Sequence, residues 1–219
     1  MWQWDFLWSA VGTLAGLVVT CLILGWLSWN LYVKMLGPFV LSGLATICLL
    51  AWAASEAEIS PLRLVGWFSM SLMVTSLLEY VIHRYVLHYP GPRGRFEQFI
   101  HSLHESHHDE PNNLDIQFTS LATSVPIVVL VGIGVIQWLG VADGACLLAG
   151  LVCFYGYYEW VHYASHNHKA RTPWFKWQQR HHRFHHFRDV HCNYGVTNPL
   201  WDAVFGTLVM QPKRVAKPE

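Results

Sequence analysis

Histidine is the residue whose placement in this sequence points most directly to chemistry. The chain has 219 residues and 14 histidines, and none of them precedes His83 or follows His191. They fall in four clusters: HRYVLH (83–88), HSLHESHH (101–108), HYASH (162–166) and HHRFHH (181–186). Neutral imidazole is a good ligand for zinc, iron, copper and nickel. Because a purely structural role does not account for four such clusters on separate segments, the pattern predicts a metal site.

The spacing within the clusters predicts which histidines share one face of a helix. The pattern HxxHH occurs at His104, His107 and His108 and again at His182, His185 and His186. Offsets of three and four residues return to one helical face, so each triplet spans an arc of about 100°, and His162 and His166 share a face for the same reason. On a straight α-helix His83 and His88 point about 140° apart. That divergence predicts that they bind different ions, and hence that the site holds two metals.

The segments that position these histidines are predominantly apolar. Hydrophobic residues make up 53% of the chain and charged residues 13%, which departs from the usual soluble balance. Five apolar stretches, at about 6–29, 35–54, 62–82, 119–139 and 145–163, approach the roughly 20 residues that a membrane span needs. The formal net charge of zero argues against a nucleic-acid partner, which would require uncompensated basic residues. The sequence therefore predicts an all-α integral membrane bundle of four to five transmembrane helices with a helical, histidine-rich cap.

The distribution of charge predicts the orientation of this bundle. If the spans alternate, one side carries Glu56, Glu58 and Asp143 with a single Arg63, whereas most Lys and Arg residues fall on the side of the histidines. By the positive-inside rule the basic side is cytoplasmic. The predicted organisation is an N-terminal transmembrane hairpin at 1–60, a histidine-box domain at 61–210 and a cytoplasmic tail at 211–219.

These motifs resemble the fatty acid hydroxylase superfamily, and within it the fatty acid 2-hydroxylases and sterol desaturase-like histidine-box proteins. The resemblance rests on EYVIHRYVLH (79–88), YEWVHYASH (158–166), HHRFHH (181–186) and YGVTNPLWDAVFGTL (194–208). It implies that ten histidines bind metal: His83, His88, His104, His107, His108, His162, His166, His182, His185 and His186. It further implies that one ion takes His88, His104, His107, His162 and His182, and that the other takes His83, His108, His166, His185 and His186.

The resemblance also implies an activity. The expected protein is an O2-dependent monooxygenase with two non-haem iron ions, although zinc could occupy the site in purified protein. It would hydroxylate a membrane lipid, either a fatty acyl chain or a sphingolipid, with electrons from a separate cytochrome b5-like or ferredoxin donor. The short, unfused chain favours a bacterial inner membrane, and an endoplasmic reticulum membrane is the alternative. The competing functions are sterol or carotenoid hydroxylation or desaturation, a zinc-stabilised scaffold and a metal transporter.

Five further residues are candidates to support the metal ligands. Glu79 lies four residues before His83 and Glu159 lies three before His162, so each carboxylate is predicted to accept the free ring N–H of its histidine. The alternative for both is a charge at a helix end. His101, His181 and His191 lie outside the minimal pattern, and they are expected to be partners of the ligands, spare ligands or surface residues.

Overall fold

The computed structural model describes residues 31–56, 59–89 and 94–209, and the regular structure in these segments is helical. The helices are α1 (Leu31–Ser55), α2 (Pro61–Ile82), a π-helical turn (His83–Leu87), α3 (Arg95–Asp109), α4 (Leu114–Gln117), α5 (Leu121–Leu139), α6 (Val141–Asn167), α7 (Pro173–Phe187) and α8 (Leu200–Val204). The all-α prediction is therefore confirmed for the described part of the chain.

Four stretches of the described helices are long and apolar enough to cross a membrane. They are Met35–Ser55, Pro61–Leu87, Leu114–Leu139 and Val141–Asn167, with mean hydropathies of 1.9, 1.4, 2.1 and 1.4. Large apolar side chains such as Leu62 and Trp138 are 83% and 82% exposed, as expected for helices that face lipid. These spans confirm a multi-pass membrane bundle. The apolar stretch 6–29 and the tail 211–219 lie outside the described residues.

One compact unit contains the described residues up to 72 together with residues 118–159. Its helices pack closely through small residues, as membrane helices commonly do. Gly150 of α6 lies against the Phe68 carbonyl and the Ser71 side chain, and the Ser71 hydroxyl donates to the Leu147 carbonyl at 2.5 Å. A β-carbon at residue 150 would approach the Phe68 oxygen to 2.7 Å. Close contact between α2 and α6 therefore depends on a glycine at this position.

Gly150→Ala is expected to destabilise the protein by about 1–3 kcal/mol, because the added methyl group overpacks this contact. Gly134→Ala is the matched control, since Gly134 lies in α5 and a β-carbon there meets nothing within 4 Å. The control is expected to be neutral or stabilising by up to about 1 kcal/mol, through helix propensity. Thermal unfolding of the two variants in the same detergent measures the difference. Equal melting temperatures would contradict the packing interpretation.

The second compact unit contains residues 73–117 and the described residues from 160 onward. All 14 histidines belong to it. It comprises the end of α2, the π-helical turn, α3, α4, the end of α6, α7, an extended segment and α8. The predicted domain boundary at residue 60 stays a prediction, because the two units alternate along the chain.

Candidate metal centre

Four elements deliver the ten predicted ligands to one place within the second unit. The π-helical turn begins at His83, and His88 follows it directly. The other eight lie on α3 (His104, His107, His108), at the end of α6 (His162, His166) and on α7 (His182, His185, His186). Their ring nitrogens form two groups, and within each group the five ligand atoms lie within 4.8 Å of one another.

The two groups have no histidine in common. The first group consists of His83, His88, His104, His108 and His185, and the second consists of His107, His162, His166, His182 and His186. The two groups are neighbours, because the rings of His108 and His186 stack with centroids 4.0 Å apart. The ten histidines therefore form a paired site rather than two remote ones.

This grouping differs from the division expected from the resemblance, which places His88, His104, His166 and His186 in the other group. The expected separation of His83 from His88 assumed a straight α-helix. The chain instead forms a π-helical turn, in which the His88 amide donates to the His83 carbonyl at 3.1 Å. A bond from residue i+5 to residue i widens the turn, so residues five apart point in more similar directions than they do on an α-helix. His83 and His88 consequently meet in the same group.

The nitrogen separations within each group fit ligands of one metal ion. In the first group Nε2 of His88 lies 2.9 Å from Nε2 of His104 and 3.0 Å from Nε2 of His185. In the second, the Nε2 atoms of His166 and His182 are 2.8 Å apart. Two ligands at right angles, each about 2.1 Å from an ion, are about 3.0 Å apart, whereas a tetrahedral site separates them by about 3.4 Å. Neighbouring nitrogens about 3.0 Å apart, in groups of five whose atoms lie within 4.8 Å of one another, favour a coordination number above four.

Hydrogen bonds fix which ring nitrogen faces the site. His83 Nδ1 contacts the Tyr194 carbonyl at 2.5 Å, and His185 Nδ1 contacts the Cys192 carbonyl at 2.8 Å. A carbonyl oxygen only accepts, so in both neutral rings Nδ1 carries the proton and Nε2 presents a lone pair. Nε2 of His83 lies 3.1 Å from Nε2 of His104. Converging lone pairs in a buried site repel unless they share a cation, so the donor set fits a bound metal.

Burial also keeps these imidazoles neutral. Desolvation, followed by the repulsion of neighbouring histidines, lowers the pKa of His88 to about 2, that of His107 to about 3 and that of His108 to about 4. The same causes hold the pKa values of four others well below their ordinary range: His104, His182, His185 and His186. At neutral pH all of these rings therefore have a lone pair available for a metal.

The metal-free protein is expected to lose stability as the pH falls below about 6.5, the ordinary pKa of histidine. Above that pH neither state carries extra protons on these rings. Below it the unfolded chain takes up protons, whereas the folded histidines stay neutral down to their own lowered pKa values, so the free energy of unfolding decreases by up to about 1.4 kcal/mol per histidine and pH unit. Melting temperatures of metal-free protein between pH 7.5 and 4.5 measure this loss. A pH-independent melting temperature would contradict the buried, neutral state.

The predicted supporting residues lie outside both groups. Glu79 does not accept the ring N–H of His83, because Tyr194 provides that acceptor; its carboxylate instead accepts from the amides of residues 196 and 197. Glu159 accepts from the Thr119 amide at 3.1 Å, and its predicted contact with His162 stays a prediction. The three histidines have separate surroundings: His101 pairs with Glu105, His181 contacts buried Asp202, and His191 is exposed.

Sequence reasoning missed the residues that hold the extended segment 192–197 against the histidines. Asp202 of α8 is fully buried and accepts from the Tyr194 and Gly195 amides, both at 2.8 Å. Gln178 of α7 donates to the carbonyls of Gly195 and Val196. The signal for Asp202 was present, since it is the only charged residue in YGVTNPLWDAVFGTL (194–208). That stretch supported the resemblance, but no role had been assigned to its aspartate.

The sequence is similar to those of several known proteins. The family model described as fatty acid hydroxylase matches residues 68–207. Two dihydroceramide fatty acyl 2-hydroxylases of Arabidopsis thaliana are similar: FAH2 is 32% identical over 64% of this chain and 59% of its own length, and FAH1 is 30% identical over 70% and 63%. The fatty acid 2-hydroxylase of Rattus norvegicus is 28% identical over 66% of this chain and 40% of its own length. The chain thus spans less than two thirds of these relatives.

A solved structure has the same fold. It is described as full-length scs7p with only the hydroxylase domain visible, and it matches 86% of this chain and 70% of its own with a TM-score of 0.70 at 22% identity. The described helices therefore adopt the fold of that hydroxylase domain.

Proposed function

The chain belongs to the fatty acid hydroxylase family, and we propose that it is a membrane-bound hydroxylase that inserts one oxygen atom of O2 into a lipid chain. The observation that carries the proposal is the pair of neighbouring five-histidine groups within a chain of apolar, membrane-length helices. Five imidazoles in each group exceed the four ligands of a structural zinc site. This donor set supports two redox-active ions, which we take to be iron, over a zinc-stabilised scaffold.

The protein's part in the reaction is to hold neutral ligands in fixed orientations. When bound, the two ions would supply the oxidant that an unactivated C–H bond requires and that amino-acid side chains cannot provide. The Tyr194 and Cys192 carbonyls fix the tautomers of His83 and His185. The lowered pKa of rings such as His107 keeps protons from competing with the ions. The histidines then serve as ligands and not as acid or base groups.

The balance of the reaction defines the partners. Hydroxylation converts a C–H bond, O2, two electrons and two protons into an alcohol and one water. We propose that the electrons come from a separate donor, either cytochrome b5-like or a ferredoxin, on the basic and cytoplasmic side of the membrane. The substrate proposed is a fatty acyl chain or a ceramide-type lipid, in keeping with the dihydroceramide acyl chains named for the similar plant enzymes.

Comparative lipid mass spectrometry tests this function. Cells expressing the wild type are expected to contain a lipid heavier by one oxygen that is absent with the double variant His107→Ala, His185→Ala, which removes one ligand from each group. His191→Ala is the matched control, because His191 is exposed and outside both groups, and it is expected to retain the product. Fragmentation of the product identifies the lipid class and the carbon attacked. The proposal would be overturned if the lipids were the same with the wild type and with the double variant, although the wild type carried metal and a reductant had been supplied.

A further inference from the structure

Two carboxylates, those of fully buried Asp202 and half-buried Glu79, hold the extended segment beside the first histidine group. The four consecutive amides from Tyr194 to Thr197 all donate to them: the first two to Asp202 at 2.8 Å each, and the next two to Glu79 at 2.6 and 2.9 Å. Alternate carbonyls of the same segment, those of Cys192 and Tyr194, accept from two metal-site histidines. The segment therefore lies between the two carboxylates and the ring nitrogens of two candidate ligands.

The connection through Asp202 is direct. The Gly195 amide and the Tyr194 carbonyl belong to one peptide group. Asp202 Oδ2 accepts from the Gly195 amide, and the Tyr194 carbonyl accepts from His83 Nδ1. A carboxylate at the amide end polarises the peptide group and makes its carbonyl a stronger acceptor. A stronger acceptor at Nδ1 makes the opposite nitrogen of the ring a more basic ligand.

The surroundings of Asp202 favour its anionic form. Burial alone would raise the pKa of this carboxyl group, but hydrogen bonds from His181, Thr207 and the Gly195 amide keep it below its usual value. His181 Nε2 lies 3.2 Å from Oδ2, and the Thr207 hydroxyl lies 2.7 Å from Oδ1. Both oxygens are thus saturated with donors, so the side chain cannot turn away from the Gly195 amide.

The second histidine group has different support. Within the part of the chain that the structure describes, the buried Nδ1 atoms of His107, His182 and His186 in the second group have no protein hydrogen-bond acceptor, and neither does that of His108 in the first group. In the first group, by contrast, backbone carbonyls hold His83 and His185. We infer that Asp202 is a positioning residue that acts through the peptide group between Tyr194 and Gly195 on His83, and that it makes the first histidine group hold its metal ion more tightly than the second. The inference rests on the proposed binding of two metal ions.

The wild-type protein tests the order of the two sites. The protein is loaded with iron(II) in the absence of oxygen and then exposed to EDTA. It is expected to release its two ions in a fast and a slow phase. Elemental analysis of the metal that remains bound at successive times measures the two rates. His88→Ala removes a ligand of the first group and His186→Ala removes one of the second. The slow phase should disappear from His88→Ala and persist in His186→Ala. A single phase, or the opposite assignment, would overturn the inference.

Two carboxylate variants test the route. Asp202→Asn is expected to accelerate the slow phase by at least about tenfold, as loss of a partner behind a metal ligand typically does. Glu79→Gln is the matched control. The two peptide groups whose amides donate to Glu79 contain the Gly195 and Val196 carbonyls, and these carbonyls accept from Gln178 and not from a histidine. Glu79→Gln should change the rate of the slow phase by less than about twofold. Asp202→Glu keeps the charge and should partly restore the slow rate of the wild type.

Each outcome of the variant experiment decides the question. Equal acceleration by Asp202→Asn and Glu79→Gln would show that the segment acts only as a mechanical brace, and no acceleration in folded Asp202→Asn would exclude the route altogether. If circular dichroism shows that Asp202→Asn does not fold, the comparison is made between Asp202→Glu and Glu79→Gln. The inference then requires faster release in the slow phase from Asp202→Glu than from Glu79→Gln, together with the expected order of release from the wild type. Failure of the wild type to bind metal would refute the proposed function itself, whereas two bound ions without ordered release would refute only this inference.

Discussion

A chain that carries both His83→Ala and His88→Ala is expected to retain one metal ion at wild-type tightness and to lose the other. Both residues belong to the first group, so the second group keeps all five ligands. The variant His83→Ala, His166→Ala removes one ligand from each group and should hold neither ion at wild-type tightness, since even a lost partner of a ligand weakens metal binding by about 10–100-fold. Elemental analysis after a brief chelator challenge measures the retained metal. Neither variant should yield hydroxylated lipid.

The two double variants form a crossed test of how the histidines are shared. The division implied by the resemblance puts His83 with His166 and apart from His88, and it therefore predicts the reverse result. The structure puts His83 with His88 through the π-helical turn. If His83→Ala, His166→Ala retains one tightly held ion and His83→Ala, His88→Ala retains none, the grouping described above is wrong.

Removal of both metal ions is expected to lower the melting temperature by at least about 15 °C. An ion present at a thousand times its dissociation constant stabilises the folded state by about 4 kcal/mol, and about 1 kcal/mol shifts the melting temperature of a chain of this size by about 2–4 °C. The structural reason is that metal-free protein must keep ten imidazoles with converging nitrogens in one cluster. Thermal unfolding in detergent before and after exhaustive chelation at pH 7.5 measures the effect.

Reversal distinguishes this effect from damage by the chelator. Iron(II) returned without oxygen should restore the melting temperature, and calcium, which prefers oxygen ligands, should not. The double variant His107→Ala, His185→Ala, which lacks one ligand in each group, should respond much less to chelation than the wild type. An unchanged melting temperature after complete metal removal would show that the cluster is not a folding determinant.

The sequence was sufficient for the four described apolar spans and for the ten histidines that the structure brings together. The stretch at about 145–163, for example, is recognisable because membrane crossing requires a minimum apolar length, which is a local property of the chain. The shared faces of His162 and His166 follow from helical periodicity, and the structure places both in one group. The family was recognisable for a related reason, since the order and spacing of the clusters can be read directly from the chain.

The tertiary structure alone decided how the histidines divide and what supports them. His104 and His107 lie on the same helix but enter different groups, because the partners that approach α3 differ on its two sides. Spacing does not reveal the π-helical turn that joins His83 to His88, since an α-helix and a π-helix use the same residues and differ by one position in hydrogen bonding. Asp202 meets the Gly195 amide only because α8 folds back on the preceding segment. Candidate ligands are thus recognisable from residue type and local period, whereas their grouping depends on the relative rotation of separate helices, which spacing along the chain does not specify.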